Sequence, residues 1–428
     1  MKMREILNFI IFQILNNSAI FLGIIALIGL LLQRKTLAET IDGVVKTIVG
    51  LVILDAGAGI ISNSIAPIVD LLNKSTGING VLPANEAAFA IAMETLSTNI
   101  VLSFLLGFIL HLILVKIIPN KNFKHVYLTV HQMLIVSSFL HVALPYVINV
   151  SNTLLIIIAA ILLALYWTIG PAIARIYTKD FTDDEITLGH ANHLGAWLGG
   201  VIGNLVGKPE EDAENLELPG ILSIFKDTTI SLAFIMPIIY IIIGLIVGSD
   251  GIVTLSNDTN WFIWLFLSAM QFTAGFVILM SGVRMFTGSI VPAFQGIADK
   301  FLPGAVPALD VAVFYAFSPT GSLLGFLGSI LGTIIYVIFS LIVRINVIVF
   351  PSPIIMFFDG CLIGVVGNKR GGWKAALIAG AIAGFITHLG FAFLYPMTTS
   401  LYGSGLTFSN IDYSLVWLPL MWFLRLFS

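Results

Sequence analysis

Long stretches of this chain carry no charge. ISLAFIMPIIYIIIGLIVG at 230–248 and GSLLGFLGSILGTIIYVIFSLIV at 321–343 are uninterrupted apolar runs, and about 20 such residues in a helix cross a bilayer. Further runs stand at 7–33, 42–72, 96–118, 127–148, 153–175, 260–283, 346–366, 374–395 and 407–427. Together they predict an all-α polytopic membrane protein with about eleven transmembrane helices. The first run is too long for the apolar core of a signal peptide and no small-residue cleavage site follows it, so it reads as a span. DAGAGIISNSIAP within 42–72 and VFPSPIIMFF within 346–366 are dense in Gly and Pro, which predicts broken helices or tight helix contacts. Two stretches, 78–94 and 301–319, are too short and polar to span and read as re-entrant hairpins covered by protein. The one long polar connection, 176–227, divides the chain near its middle.

Composition agrees. Hydrophobic residues make up 58% of the 428 and charged residues 10%, against roughly 25% charge in a soluble domain. The weak ten-residue alternation of an outer-membrane barrel is absent. A net charge of −3 without a basic tract gives no footprint for nucleic acid. The single cysteine, Cys361, can form no intrachain disulfide. Neither a GxxxxGK[ST] loop nor a GxSxG or HExxH motif is present, which leaves no such route to ATP, acyl or zinc chemistry. Lys369, Arg370 and Lys374 in NKRGGWKAAL could receive an anionic partner or lipid headgroups, or simply anchor a helix end at the interface. Lys and Arg are spread over many loops, and orientation stays open.

The midpoint invites a search for repetition. Displaced by 225 residues, GLVILDAGAGIISNSIAP (50–67) lies over GFVILMSGVRMFTGSIVP (275–292), with eight of eighteen positions identical, among them Gly50/Gly275, Gly57/Gly282 and Pro67/Pro292. A second shared pattern follows: Gly80, Pro83, Ala84 and Glu86 against Gly304, Pro307, Ala308 and Asp310. This predicts two repeats, about 1–175 and 228–428, flanking a connecting loop and scaffold segment at about 176–227. Transporter repeats are usually inverted in topology and enclose a substrate near the bilayer midplane.

An acid at membrane depth costs ~2.5–3.5 kcal/mol on insertion scales, so Glu86 and Asp310 are candidate ligand contacts. The alternative role for Asp310 is to cap a helix start. Of seven histidines, His131 stands beside Gln132, while His190 and His193 flank Asn192 in LGHANHLGAW. A metal pair at 190 and 193 lacks further local ligands, so no metal site is expected and no cofactor is implied. His141 and His388 read as hydrogen-bonded core residues. Imidazole, amide and carboxylate groups together offer the donors and acceptors that a hydroxyl-rich solute needs. Asn85, Glu86, His131, Gln132, His190 and Asp310 therefore suit a polyol or sugar-acid pocket. Three functions remain open from these residues: a group-translocating permease, a proton-coupled secondary transporter of a small organic solute, and an intramembrane enzyme with a histidine base.

GAGI, GINGV, ALYWTIG, LGHANH, LPGILSIFKD, GVRMF, LPGAVPALD and NKRGGWKAAL, in this order along nearly the whole chain, resemble the ascorbate-type IIC membrane component of the phosphoenolpyruvate-dependent phosphotransferase system. The resemblance implies a homodimer embedded in the lipid of a bacterial plasma membrane. Each subunit would have a core domain that carries the sugar and a V-shaped scaffold domain. A separate soluble IIB protein, itself served by IIA, would phosphorylate the substrate. By this resemblance the substrate contacts fall at Asn85, Glu86, His131, Gln132, Ile135, His190, Ala191 and Asp310. The ascorbate pattern has Thr-Tyr where this chain has Asn85-Glu86, and Gln at Ile135 and Ala191, so an acid enters a pocket meant for an anion.

Overall fold

The computed structural model describes residues 18–76, 79–216, 220, 227–256, 259–401 and 405–426. Helices dominate. In chain order the elements are α1 (Ser18–Leu32), α2 (Leu37–Thr76), β1 (Asn79–Pro83), α3 (Asn85–Ile117), β2 (His125–Tyr127), α4 (Val130–Val147), α5 (Asn152–Thr178), β3 (Thr187–Leu188) and α6 (His193–Val206). Then come α7 (Thr228–Val247), α8 (Ser249–Ser256), α9 (Trp261–Phe301), β4 (Val306–Leu309), α10 (Pro319–Val343), β5 (Val347–Val349), α11 (Pro353–Leu394), β6 (Leu406–Thr407) and α12 (Leu418–Arg425). Among the described residues eight helices are long and apolar enough to cross a membrane. Ile109, Ile338 and Ile342 are among many large apolar side chains left exposed on them, as lipid-facing surfaces require.

Small residues set the helix contacts. The repeated glycines meet where α2 crosses α9: a Cβ on Gly50 would stand 2.9 Å from the Gly282 carbonyl oxygen, and one on Gly275 3.1 Å from that of Gly57. Close backbone approach of this kind replaces the hydrophobic driving force that lipid removes.

Several boundaries differ from the sequence reading. The stretch 78–94 is a short strand followed by the first turns of α3, which runs unbroken to Ile117. The 301–319 stretch holds β4 and a 3-10 helix, Val311–Phe317. The Gly- and Pro-rich 42–72 run is one continuous helix that accommodates Pro67. Runs 346–366 and 374–395 fall largely in α11, which bends at Gly371–Gly372; Gly372 has φ 75°, and a Cβ there would meet the Glu211 carbonyl oxygen at 2.6 Å. The 407–427 run is broken into β6, a π turn and the short α12. The connection 176–227 carries β3 and α6, and most of LPGILSIFKD lies outside the described residues, as does the start of the 7–33 run.

Two small parallel sheets order the interior. β1 lies between β5 and β6, with Gly80 opposite Ile348 and Pro83 opposite Thr407. β4 lies between β2 and β3, with Tyr127 and Thr187 both opposite Ala308. Each central strand comes from one half of the chain and its flanking strands from the other. The extended backbone thus finds hydrogen-bond partners away from lipid.

Lys374 donates to Glu211 at 2.9 Å, and Arg370 to Asp180 and Asn204 at 3.1 and 2.8 Å. These cations of NKRGGWKAAL are therefore engaged with the connecting segment.

Candidate functional site

Each central strand ends at an acid. Glu86 lies in the first turn of α3, directly after β1 and Ala84, where unpaired N–H groups favour a carboxylate. Asp310 follows β4 and precedes the 3-10 helix with extended geometry, φ −62° and ψ 150°, and its side chain makes no capping bond. The capping alternative therefore does not describe it.

Glu86, Asp310, His131, Gln132 and His190 line one cavity of about 550 Å³. His131 Nε2 stands 3.4 Å from Asp310 Oδ2, with the Asp310 side chain 37% exposed. Gln132 Oε1 and His190 Nδ1 are buried without a hydrogen-bond partner among the described residues, and buried polar atoms ordinarily have one. Tyr315, Phe357 and Phe358 add aromatic surface, while Asp227, the N-cap of α7, and Arg284 of α9 also line it. Polar groups at fixed positions beside aromatic faces are suited to a small hydroxylated ligand. Sequence reasoning did not single out Asp227 or Arg284; Arg284 lies in the GVRMF run, the one signal that could have found it.

Three predicted contacts do not line the cavity. The Asn85 amide donates to the Ser409 carbonyl and to Asn410 Oδ1, and its oxygen accepts from the Ser409 N–H. Ile135 and Ala191 are fully buried, and the Ala191 carbonyl accepts from the Asp412 N–H at 3.4 Å. The other histidines are held by protein. His141 Nε2 lies 2.9 Å from Ser103 Oγ, His388 Nδ1 2.8 Å from the Gly384 carbonyl, and His193 Nδ1 2.9 Å from Asp412 Oδ2.

Two buried acids went unremarked in the sequence. Asp359 accepts from Asn410 Nδ2 and the Ile411 N–H at 2.7 and 2.6 Å. Asp412 accepts from Tyr166 OH, His193 and Leu194. Their only sequence signal is a lone carboxylate inside otherwise uncharged segments.

The ascorbate-specific PTS system EIIC component of Mycoplasma pneumoniae is 28% identical over 437 residues, covering 91% of this chain. The chain spans 66% of that relative's length. The EIIC-GAT family, described as the PTS system sugar-specific permease component, matches residues 13–412. With nearly its whole length covered and its many apolar helices, the chain belongs to this family of multi-pass permease components of the bacterial plasma membrane.

Proposed function

We propose that the chain binds ascorbate or a related sugar acid or polyol, carries it across the membrane, and presents it to a separate IIB protein for phosphorylation. The convergence of Glu86, His131, Gln132, His190 and Asp310 on one cavity carries this reading, and the ascorbate-specific relative supports the substrate class. Asp310 and Glu86 accept hydroxyl protons in hydrogen bonds; the neutral imidazoles and Gln132 both donate and accept. The chain binds and reorients the sugar, and the phosphoryl donor sits on the soluble partner.

Two repeats, about 1–175 and 228–428, are read as inverted halves. The matched glycine crossing of α2 with α9 and the exchange of central strands support that reading. The strand ends and the Glu86–Asp310 cavity belong to the sugar-carrying core, and α2 and α9 to a scaffold that pairs two subunits.

Proteoliposomes holding the purified chain test the function. Labelled ascorbate is expected to appear inside as its phosphate only when IIB, IIA, phosphoenolpyruvate and the general soluble phosphotransferase proteins that relay its phosphoryl group to IIA are supplied inside. Uptake of unmodified ascorbate that needs none of these and collapses with a protonophore would replace the proposal with proton-coupled transport.

A further inference from the structure

Residues 406–412, LTFSNID, join the arm that bears Glu86 to the segment 191–194 that follows His190. At one end β6 pairs with β1, and Ser409 and Asn410 hold the Asn85 amide, next to Glu86. At the other end Asp412 takes every donor around it. Tyr166 OH donates to Oδ2 at 2.7 Å, the His193 N–H and Nδ1 reach Oδ2 at 2.9 Å, and the Leu194 N–H reaches Oδ1 at 2.9 Å. Asp412 is fully buried, a costly place for a carboxylate that its four donors offset.

His190 sits between two fixed points. Before it, the Gly189 N–H donates to the Leu309 carbonyl at 2.7 Å, one residue from Asp310. After it, the Asp412 N–H reaches the Ala191 carbonyl at 3.4 Å, and the Asp412 carboxylate grips His193 and Leu194. The His190 ring meets no protein partner at Nδ1 among the described residues, so the clamps on its backbone set its position.

We propose that Asp412 is a positioning residue for His190, holding that imidazole at the cavity through the backbone of 191–194. The proposal rests on reading the cavity as the substrate site. Asp412 does not line that cavity; it acts only through the arm. The carboxylate is matched to its task because all four neighbours are donors. An asparagine would turn an N–H₂ group against N–H groups and lose at least one of those bonds.

The test uses the full chain in lipid nanodiscs and two readouts. Diethyl pyrocarbonate labelling, resolved by peptide mass spectrometry, reports each histidine without any ligand. Asp412→Asn is expected to raise the labelling rate of His190 about tenfold, the loosening expected when a hydrogen bond to a charged acceptor is lost, with His111 and His388 unchanged. An unchanged His190 overturns the proposal, and so does an equal rise at all three residues, which would mean general loosening. If Asp412→Asn does not fold, Tyr166→Phe removes one donor and decides alone: about a threefold rise confined to His190 is expected, and none overturns the idea.

The second readout is ascorbate binding in a double-mutant cycle. Asp412→Asn should weaken binding about tenfold in the wild-type background and not at all in His190→Ala. Losses that simply add overturn the proposal. If the wild-type chain does not bind ascorbate, the substrate assignment fails, and the labelling result still decides the role of Asp412.

Discussion

His131 Nε2 lies 3.4 Å from Asp310 Oδ2, so the first turn of α4 and the end of β4 meet through one ionisable pair at the cavity. Asp310→Asn replaces one carboxylate acceptor of the cavity with a neutral amide of the same shape. Ascorbate affinity, measured by calorimetry on purified protein, should fall about tenfold or more, the effect of a charge-assisted bond worth ~1.5–3 kcal/mol. Near-normal affinity would take Asp310 out of the substrate site.

The histidines should separate by role. His131→Ala is expected to weaken binding with little change in melting temperature. His388 is fully buried and bonded to Gly384 and Thr333, so His388→Ala should cost ~2 kcal/mol of stability and leave ascorbate affinity within about twofold. Equal effects on affinity would mean that the two histidines do not differ in facing the ligand.

Glu86 shares the cavity with Asp310, and two acids disfavour an anionic ligand. Glu86→Gln should therefore improve the affinity for ascorbate relative to a neutral polyol, by a factor of about 3–10 at low ionic strength. A ratio that does not move would show that Glu86 carries no charge in the bound state or is turned away.

The α2–α9 crossing tolerates no side chain at Gly50, where a Cβ would lie 2.6 Å from the Phe286 backbone nitrogen. Gly50→Leu should lower stability by about 1–3 kcal/mol or more, read as the melting temperature in detergent. Val52→Leu, on an exposed position of the same helix, should leave it unchanged.

The connecting segment is tied to the bend of α11 by charge. Glu211 is held below the usual carboxylate range, chiefly because Lys374 donates to it. Its folded pKa is depressed, so the tether is present above the ordinary glutamate value of about 4.3 and is lost as pH falls through the lower folded value. At neutral pH Glu211→Gln should speed proteolysis between residues 207 and 216. Once pH has fallen below that depressed folded value, mutant and wild type should converge; a difference that persists there would rule out the ion pair as its source.

The helices were legible because lipid demands long apolar runs, and the two acids because a carboxylate is conspicuous among alanines and valines. Five of the eight expected contacts share the cavity. Asn85 and Ala191 adjoin cavity residues in sequence and Ile135 lies one turn after Gln132, yet none of the three lines the cavity; nearness along the chain does not say which way a side chain turns. The strand pairs were not legible at all. They join segments more than a hundred residues apart, and two to five extended residues leave no periodicity to read. The brace at 406–412 was hidden for the same reason: LTFSNID reads as the start of the last apolar run, 407–427, until its partners are known.

The crossed pairing of the strands bears on how the polypeptide is made. When β1 leaves the ribosome, β5 and β6 have yet to be synthesised, so its N–H and C=O groups have no place to go within the bilayer. Closure of that ladder is delayed until residue 407 has been made. Two halves expressed as separate polypeptides would face the same delay, and each would remain unfinished until it met the other.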